Sequence, residues 1–233
     1  MRPPMTLSPG LSTHVNELQE LLLARFRSAD HRLLWVENIG ILFDTSKLIL
    51  GQYRVGSMWR QKAWFTLYSH ATGCIKEAPL DSEASIGALY LVCLLIRHAN
   101  ISAANTSQLM SVAVRVLIRT TRKSTSSDDT ETELMQRCAL DSISQLLETD
   151  LSTISSYVST VIPVILTVCC EGTAASSRIA GLSIIQEMSG LQYSILFPVQ
   201  KTVVRSLSKV IDDPKRRVRQ LASKVRNTWL TLK

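Results

Sequence analysis

Apolar residues recur along this chain at i, i+3, i+4 and i+7, the spacing of helices with one buried stripe. Val15, Leu18, Leu22 and Phe26 mark a first helix that Ser12 or Thr13 can cap and that ends near Ser28. Leu34, Ile41 and Leu48 place one or two more between residues 33 and 50, before the Gly-bearing linker GQYRVGS at 51–57. Met58, Trp59, Ala63, Phe65, Leu67 and Cys74 continue a helix beyond the linker. A very apolar segment from Asp81 or Ser82 to Ile96 reads as a central, all-round buried helix. Ala103 to Thr120 follows, then the polar loop 121–130. Thr130 and Glu133 have the spacing of a capping box that would fix the start of the next helix. Regular helices are predicted at 131–148, 151–170, 174–189, 194–211 and 214–232. Pro163 should kink its helix, and Gly172 and Gly190 stand at helix ends, where a left-handed residue costs little.

The second half repeats itself at an offset of 41 residues. Arg137, Arg178 and Arg219 fall in register, followed by Ile143, Ile184 and Val225, then by Leu147, Met188 and Trp229. The same offset aligns Ile154 with Ile195, Val158 with Val199, Ile162 with Val203, Leu166 with Leu207 and Cys169 with Val210, so each unit holds two helices. A two-helix period near ~40 residues lies in the range of HEAT and armadillo units. The fold class expected is therefore all-α, an α-α superhelix of HEAT/armadillo-like solenoid type. Its domain plan is a flexible segment over 1–10 and a single helical-repeat domain over 11–233, most regular from 131 to 233. Solenoids usually work as surfaces for other macromolecules.

Composition supports a folded chain: 45% hydrophobic and 19% charged residues exclude disorder. No apolar run reaches the ~18 residues of a membrane span, and the start MRPPMTLSPG lacks an apolar signal core. A soluble protein in a reducing compartment is expected. Cys74, Cys93, Cys138, Cys169 and Cys170 fit that view, since all lie in apolar helical patterns without a CxxC pair. The net charge of +7 is concentrated: residues 200–233 carry ten basic and two acidic side chains, and the remaining 199 residues carry 16 and 17. Three readings compete for this basic segment. They are a solvated outer face, a dock for an acidic protein surface, and a phosphate-binding surface, ranked last because base-stacking aromatics are missing. Lys201, Arg205 and Lys209 recur every four residues opposite Ile195, Val199 and Val203, forming a stripe that favours the dock over the phosphate surface. With Lys215, Arg216 and Lys224 they would make a concave partner-binding ridge.

Catalytic chemistry finds little support. His14, His31, His70 and His98 are scattered, with no nucleophile pattern, phosphate loop or HExxH near them. His70 and Cys74 at i, i+4 supply two metal ligands where four are common. Cys169-Cys170 reads as apolar filler, and Ser126 to Asp129 as a solvated loop. No catalytic residue, metal or cofactor is assigned.

The run IDDPKRRVRQLASKVR over 211–226 resembles the turn between the helices of a HEAT repeat, with its D-P-x-x-x-V-R-x-x-A order. In that family the arginine of one unit pairs with the aspartate of the next, which would make Arg137, Arg178 and Arg219 the rungs of a ladder; only the Arg219 unit has the D-P. The longer segment LFPVQKTVVRSLSKVIDDPKRRVRQLASKVRNTWLTL is similar to the extreme C-terminus of the HEAT-repeat adaptor family of the cytosolic iron-sulphur protein assembly targeting complex, also described in nucleotide excision repair and transcription. MWRQKAWFTLYSHA at 58–71 resembles a helix of the same family. The resemblance implies a non-enzymatic scaffold of cytoplasm and nucleus. It would grip a small acidic adaptor subunit joined to a β-propeller subunit. It would also help present apo iron-sulphur clients such as helicases, polymerases and primase. The alternative from another class is a basic HEAT-repeat module that binds nucleic acid or acts in nuclear transport.

Overall fold

The computed structural model describes residues 17, 21, 24, 36, 39, 54–77, 83–96, 103–122, 129–149 and 155–232. Among these the chain is all-α, with eight α-helices and one 3-10 turn and no strand. It divides into two compact units, residues 1–100 and 101–233. Segment 1–10, most of the first two expected helices and the greater part of the loop 121–130 lie outside the described residues.

In the first unit, α1 (Arg54–Glu77) packs on α2 (Glu83–Ile96). The helix begins at Arg54, inside the expected linker, because a single Gly56 in a first turn costs only ~1 kcal/mol and does not stop a 24-residue helix. Trp64 joins the two helices: its Nε1 donates to the carbonyl of Leu95 at 2.8 Å, and its ring stacks on Tyr68 at 4.9 Å. Leu95 stands in the last turn of α2, where carbonyls lack helical partners, so the indole satisfies an orphan acceptor. From Ala88 to Ile96 every residue of α2 is buried, as its uniformly apolar sequence requires.

The second unit is three stacked helix pairs. They are α3 (Ala103–Arg122) with α4 (Asp129–Thr149), α5 (Val158–Glu171) with α6 (Ala175–Met188), and α7 (Tyr193–Val210) with α8 (Arg216–Leu230); the 3-10 turn Ser155–Tyr157 leads into α5. Within each pair the two helices pack on each other. Between pairs, α3, α5 and α7 lie side by side in one layer and α4, α6 and α8 in the other. This is the architecture of an α-α solenoid. Its core is built from the repeat positions: Ile143, Ile184 and Val225, then Leu147, Met188 and Trp229, are all at most 3% exposed. The layers approach closely where α6 carries Gly181, since a Cβ there would lie 2.8 Å from Cys169 Sγ and 3.3 Å from Ile165 Cγ2.

Three local expectations are corrected. Gly172 caps α5 with φ −60° and ψ 133°, so it is not left-handed. What excludes a side chain is Val168 O, 2.5 Å from where a Cβ would sit. α4 starts at Asp129, ahead of the expected capping box, and Glu133 accepts a hydrogen bond from Ser176 Oγ at 3.5 Å on the neighbouring pair. α8 starts at Arg216 with Lys215 as its cap residue, so Pro214 precedes the first helical position. α5 continues through Pro163, as α7 does through Pro198. Both rings lie on exposed faces, where the carbonyl that loses its amide can bond water.

Candidate functional site

Arg178 and Arg219 stand three residues into α6 and α8 and hold the same contacts one repeat apart. Arg178 Nη1 donates to the carbonyls of Gly172 and Thr173 at 2.6 and 3.0 Å. Arg219 Nη1 donates to those of Asp213 and Pro214 at 2.7 and 3.0 Å. Each arginine thus fastens the turn of its own pair. The remaining edge of Arg178 reaches the next pair: Nε lies 2.7 Å from Asp213 Oδ2, and Nη2 donates to Oδ1 at 3.3 Å. Only 10% and 8% of the two side chains is exposed. Two charges so removed from water are stable only as a pair with further hydrogen bonds. The turn carbonyls supply these for Arg178, and the Lys215 amide, donating to Asp213 Oδ1 at 2.7 Å, supplies one for the acid.

Arg137 is held differently. Its Nε pairs with Asp141 Oδ1 at 2.9 Å on its own helix, and its Nη1 donates to Ser176 O at 3.1 Å on the next pair. Gly172 occupies the place that Asp213 has one unit later, and α4 begins eight residues before Arg137, so no turn carbonyl lies within reach.

The six cations singled out from sequence are all exposed, but the two layers divide them. Lys201, Arg205 and Lys209 lie together on the outer face of α7, opposite the buried Leu196, Val203, Leu207 and Val210. Arg216 and Lys224 lie on α8 opposite the buried Val218, Ala222, Val225 and Trp229, and therefore on the other side of the stack. Lys215 is in the connecting turn. A single ridge through all six is not formed, because α7 and α8 turn their apolar stripes to each other. Two groups escaped the sequence reading. Arg217 adds to the outer face of α8, and Tyr193 and Phe197 are exposed two turns and one turn before Lys201, with ring centroids 5.7 Å apart. The four-residue spacing 193, 197, 201, 205 was the available signal.

Among the described residues no three His, Cys, Asp or Glu side chains lie together as a metal site. Of the histidines only His70 is described, and His70 and Cys74 are both half-buried. Burial pushes the Cys169 thiol far above its ordinary value, Cys170 adds to the rise, and Arg178 opposes it weakly. Burial also raises Cys170, against the pull of Lys209. Neither is the lowered thiol that nucleophilic chemistry uses. No helix among the described residues is long and apolar enough to cross a membrane.

No family model matches the chain. Over 180 residues, 75% of its length, it is 25% identical to the MMS19 nucleotide excision repair protein homolog of Dictyostelium discoideum. The matched region spans 16% of that protein. The stacked helix pairs in two layers are, for their part, the architecture of a helical-repeat protein.

Proposed function

We propose that the chain is a non-enzymatic protein-binding scaffold that docks the cytosolic iron-sulphur cluster targeting complex and helps recruit apo-client proteins of DNA repair and replication, in cytoplasm and nucleus. The observation that carries this reading is the conjunction of a stacked helix-pair array with a sequence likeness, over three quarters of the chain, to an MMS19 homolog. The outer face of α7 is the proposed contact: Lys201, Arg205 and Lys209 form no ion pair among the described residues, so their charge is available to an acidic surface. Such a surface steers association and sets partner choice.

The test is co-purification of the chain with the small acidic adaptor subunit of that complex. Lys201→Glu with Arg205→Glu should abolish it while leaving the circular dichroism spectrum unchanged, since both side chains are exposed. Undiminished co-purification of this double variant would refute the contact.

A further inference from the structure

The α7/α8 pair departs from the repeat along one edge. On α6, Arg178, Leu182 and Ile185 form a stripe that α8 covers: Asp213 meets Arg178, and Trp229 Nε1 donates to Ile185 O at 3.0 Å. A shift of 41 residues carries this stripe to Arg219, Ser223 and Arg226 on α8, continued by Leu230. The arginine is kept, and the two apolar positions have become polar. A further helix pair seated as α8 is seated on α6 would lose the apolar contacts of Leu182 and Ile185. This edge is built for something more polar.

The matching edge of α7 runs through Tyr193, Phe197, Gln200, Val204 and Ser208. Two hydrogen bonds tie it to α8, Gln200 Nε2 to Trp229 O at 2.8 Å and Arg226 Nε to Ser208 Oγ at 3.0 Å. Phe197 is 63% exposed and Leu230 51%, so arginines are interleaved with large apolar groups. The only exposed acid in the turn between the helices is Asp212, since Asp213 is engaged by Arg178.

We propose that this edge receives an acidic, partly apolar segment of a partner protein. One aspartate of that segment sits on the Nε and Nη2 edge of Arg219 as Asp213 sits on that of Arg178. Apolar side chains beside it cover Phe197 and Leu230. Arg219 is already oriented for this, because its Nη1 makes the two turn contacts that hold Arg178 in its paired conformation. The charge pattern selects an acidic occupant over a second basic repeat edge. The proposal rests on the scaffold reading and names the residues through which it acts.

The experiment is a titration of the full chain with the acidic adaptor subunit. Arg219→Met and Phe197→Arg should each weaken binding roughly tenfold or more. Arg219→Lys should fall between Arg219→Met and wild type, because an ammonium cannot present the two-pronged edge. Phe197 is exposed, so its variant decides the matter if Arg219→Met does not fold. Wild-type affinity in both, with binding still lost on reversal at Lys201 and Arg205, overturns this inference and leaves the scaffold reading standing. Failure of the wild-type chain to bind the adaptor overturns both. Self-association in sedimentation that Arg219→Met abolishes would make a second copy the occupant, which also overturns the proposal.

Discussion

Replacing Asp213 with alanine removes the buried partner of Arg178 and, in the same step, the acceptor of the Lys215 amide. Breaking a buried pair from one side costs ~3 to 5 kcal/mol, because an uncompensated charge remains. Loss of the bond at the start of α8 adds ~1 kcal/mol. Against this, Arg178 keeps the Gly172 and Thr173 carbonyls, which brings the expected loss to about 3 kcal/mol. At roughly 2 to 4 °C per kcal/mol for a chain of this size, the melting temperature should fall by about 6 to 12 °C. The assay is thermal and urea unfolding followed by circular dichroism, completed as a cycle with Arg178→Met and the double variant Arg178→Met/Asp213→Ala. Removing both charges should cost much less than the two single losses together, with a coupling of about 2 kcal/mol. A loss under about 1 kcal/mol for Asp213→Ala, or a double variant equal to the sum of its singles, would refute the claim that this pair joins neighbouring helix pairs.

Gly181→Ala should destabilise the fold by about 1 to 3 kcal/mol in urea unfolding, and Cys169→Ala, which removes the sulphur 2.8 Å from the new Cβ, should restore much of the loss; an equal loss in both backgrounds would place the strain elsewhere. Trp229→Phe should cost about 1 to 3 kcal/mol by leaving Ile185 O without its donor, since the Ser189 amide bonds to Gln186 instead; no change in the unfolding midpoint would show that the bond is dispensable. Burial raises the pKa of Glu187 above its ordinary value, with Glu148 adding to the rise and a hydrogen bond from Ser144 opposing it. The folded protein then binds this proton more tightly than the unfolded chain. Its penalty is therefore absent below the unfolded value of 4.5 and sets in as pH rises through the raised one. Glu187→Gln should accordingly be more stable than wild type at neutral pH and show no advantage at pH 4, as thermal melts across that range will register.

Most of the helices of the second unit were legible in the sequence because apolar period and core coincide. Ile143, Ile184 and Val225 repeat at 41 residues and are buried one above another in a single layer. Helix ends were less legible. The Thr130 and Glu133 pattern reads as a cap from local spacing alone, yet Glu133 is met by Ser176, 43 residues away. The candidate site was half legible. A four-residue spacing does put Lys201, Arg205 and Lys209 on one face, but it says nothing of whether Lys224, on the next helix, shares it. That depends on α7 and α8 packing through their apolar stripes, which sends the two outer faces opposite ways.

Three contacts that register one helix pair against the next end on peptide oxygens: Arg137 on Ser176, Cys170 on Ser206 and Trp229 on Ile185. A main-chain acceptor survives any substitution of the residue that carries it. On the acceptor side the spacing of the stack is thereby insulated from substitution, and the outward-facing positions of α7 and α8 that make none of these contacts are at liberty to diverge toward new binding chemistries without shifting the frame beneath them.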